Sequence, residues 1–190
     1  MPFDLLRIDD RLSHGLRHWR RTVGVKQESL AHDIGVSQAT ISRLESGQAL
    51  PGERDLHQLL ARISASPSAP SDRQLIRFVR QSAEPLHLVC DLTHRLLAAS
   101  PSRASEWAIA PERLNGRSLW RYASPDIVEA ECGLGAIGWH ERTSLETRFV
   151  TASFECSAIS IRKSVVHWVR IPLANGTFAR LVRTGNAGTE

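Results

Sequence analysis

The sequence predicts an α+β protein, with a small all-α bundle in residues 1–63 and a mixed domain in residues 73–184. Three observations carry this reading. Leu12, Leu16, Trp19 and Val23 recur at spacings of four, three and four, which puts them on one face of a helix. The stretch SASPSAPSD, Ser64 to Asp72, has the small-residue and proline content of a linker. Beyond it come two short apolar runs, then short helical segments, then three runs rich in branched and aromatic residues, which suit strands.

In the first half, a second helix is expected from Gln27 to Asp33, with Leu30, Ala31 and Ile34 inward and Gly35 supplying the conformation that ends it. Ser37 sits where a hydroxyl can cap the next helix, whose inner side is Ile41 and Leu44. Gln38, Ala39, Thr40, Ser42 and Arg43 are left on its outer side, and Gly47, Pro51 and Gly52 end it. Glu53 to Ile63 closes the bundle with Leu56, Leu59, Leu60 and Ile63.

Leu16, Arg17, Arg20, then Gln27, Leu30, Ala31, then Gly35, Val36, Ser37, Ile41, Ser42, Glu45 and Gly47 form a pattern that resembles the XRE family of regulators, which includes the lambdoid phage repressors. The resemblance runs from Leu12 to about Ile63 and implies a lambda-repressor-like helix-turn-helix whose helix from Ser37 to Ser46 enters the major groove. Base reading would then fall to Gln38, Ala39, Thr40 and Arg43: Gln pairs with adenine, Arg with guanine, and the other two offer methyl or hydroxyl contacts. Gln27, Ser37, Ser46 and Gln48 fit phosphate contacts that set register, with Arg17 and Lys26 adding charge. The resemblance also implies a structural ion pair between Arg20 and Glu45.

After the linker at 64–72, Arg73 to Gln81 carries Leu75, Ile76 and Val79 at helical spacing. Leu86 to Cys90 and Arg95 to Ala99 read as a hairpin, Ser102 to Trp107 and Asp126 to Glu131 as short helices, and LNGRSLWRY as a loop between them. Gly133 to Gly138 implies a turn. Leu145 to Phe154, Ala158 to Ile171 and Phe178 to Arg183 read as strands, the last two joined at Ala174-Asn175-Gly176, and residues 185–190 as a tail. This order, with D-x-x-x-R-L-L-A-A-S, G-R-S-L-W and W-V-R-I-P-L-x-N-G, resembles a PAS domain. That resemblance implies a sensory or dimerising module in which a five-stranded antiparallel sheet and its helices enclose a small cavity, with Arg117, Trp120, His167 and Arg170 as candidate cavity or interface residues.

No cofactor is expected. The flavin-type Asn-Cys-Arg-Phe setting is not evident, and lone histidines such as His87, His94, His140 and His167 are more often structural than haem ligands. Cys90, Cys132 and Cys156 lack Cys-x-x-Cys spacing, so no metal site is expected, and buried inert thiols are the default. No nucleophile, base and orienting group assemble into an enzyme. The net charge is +4, with nine basic against eight acidic side chains through Ile63 and fifteen against twelve beyond, so bulk charge argues only weakly for nucleic acid. No apolar run spans a bilayer, and the amino terminus lacks a signal-peptide pattern, so the expected location is the cytoplasm and not a membrane. The leading expectation is a non-enzymatic transcriptional regulator, with repression preferred, that binds double-stranded DNA at an inverted repeat as a homodimer and has room for a small-molecule ligand or protein partner in its second domain. The alternative is a protein-binding adaptor or antitoxin with autoregulatory DNA binding.

Overall fold

The computed structural model describes residues 8–142, 145–156 and 159–186. Residues Met1 to Arg7, the expected strand start at Ala158 and tail positions 187–190 lie outside them. The chain is α+β. Four helices, α1 (Ile8–Thr22), α2 (Gln27–Ile34), α3 (Gln38–Glu45) and α4 (Glu53–Ile63), precede α5 (Pro70–Gln81), β1 (Leu86–Cys90) and β2 (Leu96–Ala99). Then come α6 (Pro101–Ser105), α7 (Pro111–Leu114), α8 (Pro125–Gly133), β3 (Leu145–Thr151), β4 (Ser164–Pro172) and β5 (Phe178–Asn186). The strands form one antiparallel sheet in the order β2-β1-β5-β4-β3. The five-stranded antiparallel sheet and its helices are the arrangement that the sequence's resemblance to a PAS domain implies.

Alternation along the strands gives the sheet two apolar faces. On one, Val89, Val166, Trp168 and Val182 pack with Trp107, Leu134 and Trp139 from the α6–β3 region. On the other, Leu86, Leu88, Cys90, Ala98 and Ala179 join Val79 of α5 and continue without a break into Leu12, Leu16, Leu30, Ile41 and Leu59 of the helical bundle. Bundle and sheet thus share a core.

The linker composition suggests halves free to reorient, but the packing holds them together. Ser64 and Ala65 are buried, the Ala65 amide donates to Cys90 Sγ at 3.2 Å, and Asn175 Nδ2 donates to the Ser66 carbonyl at 3.2 Å. Small residues read as flexible in sequence also permit close approach.

Several boundaries differ from expectation. α5 starts at Pro70, within the expected linker, because Asp72 reaches back to the Ala69 amide and also accepts from Ala174 N at 3.1 Å. α6 and α8 start earlier than expected because Ser100-Pro101 and Ser124-Pro125 each supply a hydroxyl cap followed by a proline at the first helical position. The loop LNGRSLWRY contains a 3-10 turn at Trp120–Tyr122, and the glycine-rich turn contains another at Leu134–Ile137. β3 ends at Thr151, β4 begins only at Ser164, and β5 continues to Asn186, into the expected tail.

Candidate nucleic-acid interface and adjoining cavity

The α2–α3 turn follows from three residues. Gly35, at φ 76°, adopts the left-handed conformation that closes α2. Ser37 then caps α3, its Oγ accepting from Thr40 N at 3.1 Å. Ile41 and Leu44 anchor the inner side of α3 in the core. The remaining side is open: Gln38, Ala39, Ser42 and Arg43 are exposed and Thr40 is half-buried.

A run of charge-assisted hydrogen bonds ties this face to its neighbours. Arg20 Nε meets Glu45 Oε1 at 2.5 Å and Nη2 meets Oε2 at 2.9 Å, a two-point contact from α1 to α3. Gln27 Nε2 donates to the same carboxylate at 2.8 Å, and Gln38 Nε2 donates to Gln27 Oε1 at 2.7 Å. Burial opposes the charge on Glu45, but the bonds from Arg20 and Gln27 outweigh it and hold its carboxyl below the ordinary value. The side chain of Gln27 is therefore part of the support beneath Gln38, while its amide lies at the α2 N-terminus. Ser37, Ser46, Gln48, Arg17 and Lys26 are exposed around it. Arg43 lies along α3, with Nε 3.4 Å from the Ala39 carbonyl.

Below the bundle lies a buried group of charges that sequence reading missed. Arg11 of α1 donates from Nη1 to His94 Nδ1 at 3.0 Å and to Glu131 Oε1 at 3.3 Å. Burial keeps His94 below its ordinary pKa, hence neutral, which suits an Nδ1 acceptor and an Nε2–H facing Glu131 at 3.3 Å. Arg180 binds Glu131 Oε2 at 2.5 Å and Asp91 Oδ1 at 2.7 Å, and Arg170 binds Asp91 Oδ2 at 2.9 Å. Trp139 Nε1 donates to Asp91 Oδ1 at 3.0 Å. Burial would raise both carboxyls; the arginines reverse this, leaving Asp91 below and Glu131 well below the ordinary values.

A cavity of about 260 Å³ separates the sheet from α6, α8 and residues 159–163. Of the four residues expected at a cavity or interface, Trp120 lines it and stacks on His94 with ring centroids 4.7 Å apart. The other three do not line it. Arg170 is buried but spent on Asp91, His167 lies on the sheet face opposite Trp168, and Arg117 is exposed on a loop.

Residues 11–69 match the model of a helix-turn-helix domain. Helices α2 and α3 and the turn between them fall within that match. No curated protein matches the chain. Among solved structures it is similar to an RNA-binding light-oxygen-voltage receptor, with 12% identity and a TM-score of 0.41, over 94% of this chain and 59% of that one. The chain therefore spans about three fifths of that structure's length. The match to a helix-turn-helix domain suggests a DNA-binding regulator. Among the described residues no helix is long and apolar enough to cross a membrane.

Proposed function

We propose that this protein is a cytoplasmic, sequence-specific transcriptional regulator that represses by binding an inverted repeat as a homodimer. The DNA-binding unit is residues 1–63; residues 73–184 dimerise and sense. The observation that carries this reading is the outward face of α3, polar and exposed, on a helix braced by Arg20, Glu45 and Gln27. Gln38 and Arg43 read base edges in the major groove, with Ala39 and Thr40 beside them. Amides at the starts of α2 and α3, with Ser37, Ser46, Gln48, Arg17 and Lys26, hold phosphates. One such helix reads few base pairs, whereas a two-fold pair placed ~34 Å apart doubles the site.

The test is selection of binding sites from a random duplex pool by the full-length protein, in parallel with Arg43→Ala at matched salt. An inverted repeat is expected, with Arg43→Ala losing ~1–3 kcal/mol of discrimination at one position in each half. No enriched motif from folded protein would overturn the reading in favour of a protein-binding adaptor.

A further inference from the structure

The cavity between the sheet and its helices has two unlike ends, which the strand register makes clear. At one end, Trp120 lies against His94, close to Arg180. At the other, Thr184 pairs across from Val166 and Ser164 from Asn186, and Arg103, Arg162 and Lys163 gather there. Between the ends the wall is flat and apolar: Trp107 and Trp168 with Ile127 and Val166. Pockets that hold drug-sized molecules span ~300–1,000 Å³, so 260 Å³ limits the occupant to something smaller.

Charge separates the ends further. Arg180 is neutralised by Asp91 and Glu131, and Arg103 meets Glu106 at 2.6 Å. Arg162 and Lys163 are exposed at the rim, and no carboxylate among the described residues pairs with either. Deeper in, Arg103 Nη2 is held by the Pro85 carbonyl and Thr184 Oγ1, yet its Nε has no hydrogen-bond partner among the described residues. Nor does His87 Nδ1, on the adjacent strand. A buried polar atom left unpaired costs free energy, and two at one end of an aromatic pocket mark where a polar group would bring most gain.

We infer that this cavity binds a small organic acid with an aromatic body, its carboxylate held at the Arg103, Arg162 and Lys163 end and its ring between Trp107 and Trp168. A small adjustment of Arg103 or His87 brings their unpaired atoms to the carboxylate, and Lys163 and Arg162 add the surplus positive charge that selects an anion. The ring points toward Trp120. This rests on the reading of residues 73–184 as a sensing domain and adds the class of molecule sensed.

The test uses full-length protein without DNA, with phenylacetate, cinnamate and indole-3-acetate as probes, each beside its primary amide. Binding is followed by tryptophan fluorescence and calorimetry. At least one acid is expected to bind saturably, about tenfold tighter than its amide, and the exposed pair Arg162→Gln/Lys163→Gln is expected to close that gap without changing the melting temperature. Amides binding as tightly as acids, no saturable acid binding at millimolar concentration by folded protein, or an unchanged gap in the double variant would each overturn the inference. Selection of a duplex motif is unaffected by those outcomes, so failure here and failure of the DNA-binding reading are distinguishable.

Discussion

Glu45 and Gln38 sit on the same short helix yet do different work, and their substitutions separate support from contact. Glu45 is 7% exposed and receives Arg20 and Gln27, so Glu45→Ala leaves a guanidinium without its partner. Breaking a pair this buried costs ~2–4 kcal/mol, a fall in melting temperature of roughly 5–15 °C for a chain of this size. Gln38 is exposed, and surface substitutions of this kind stay within ~0.5 kcal/mol. Gln38→Ala is therefore expected to weaken binding to the selected duplex while the melting temperature holds. Calorimetric melting and duplex titration of both variants check this; equal melting losses would show Gln38 to be part of the brace. The carboxylate adds a pH signature. Because its folded pKa is depressed, its contribution is present above the ordinary carboxyl range and lost as pH falls through the lower folded value.

The hairpin between β4 and β5 shows how an element can serve two neighbours at once. Asn175-Gly176 makes the turn, with Gly176 at φ 76° and its amide donating to the Leu173 carbonyl at 3.0 Å. The same glycine faces α1: a Cβ placed on it would lie 2.5 Å from Val23 Cγ1 and 3.7 Å from Trp19 Cδ1. Gly176→Ala thus meets a strained backbone, ~1–2 kcal/mol, and a clash with the bundle. Adding Val23→Ala should recover the clash and leave the backbone cost, so the double variant melts higher than Gly176→Ala alone; additive losses would mean that the hairpin tip does not bear on α1. Sequence alone made the turn legible, since Asn-Gly between branched runs is a local signal. Its contact with Val23 was not, because nothing local links positions so far apart in the chain. The same division holds elsewhere. Helices α2, α3 and α4 were readable from period and caps, while Ser64 and Ala65 read as a linker because composition cannot tell flexible small residues from closely packed ones. Arg11, Asp91, Glu131 and Arg180 gave no separate signal, since a charged residue in sequence is ordinarily solvated and only the fold brings four of them under cover.

At the scale of the molecule, that covered group of charges joins the helix-turn-helix domain to the sheet, and acid should loosen it. His140, beside His14 of α1 with ring centroids 6.3 Å apart, is held down to about 4, first by burial and then by Arg180 and Arg170, with Asp91 and Glu131 pulling the other way. The sign is definite. Between pH ~6.5 and about 4 the unfolded chain takes up a proton on this histidine that the folded chain refuses, so stability falls on acidification through that window. Burial also lowers His87 and His94, and both add to the same slope. Asp91 and Glu131 stay ionised there, their depressed values placing their loss at lower pH. For half-buried His140 the contribution is on the order of 2 kcal/mol. Thermal melting from pH 7.5 to 4.5 should therefore show a steeper decline in the parent chain than in His140→Gln, which has no proton to refuse. Because Arg11 of α1 shares Glu131 with Arg180, and His94 with the cavity-lining Trp120, the same interface is where an occupied cavity would act on the DNA-reading head. Parallel slopes in the two proteins would show that His140 does not carry the acid sensitivity.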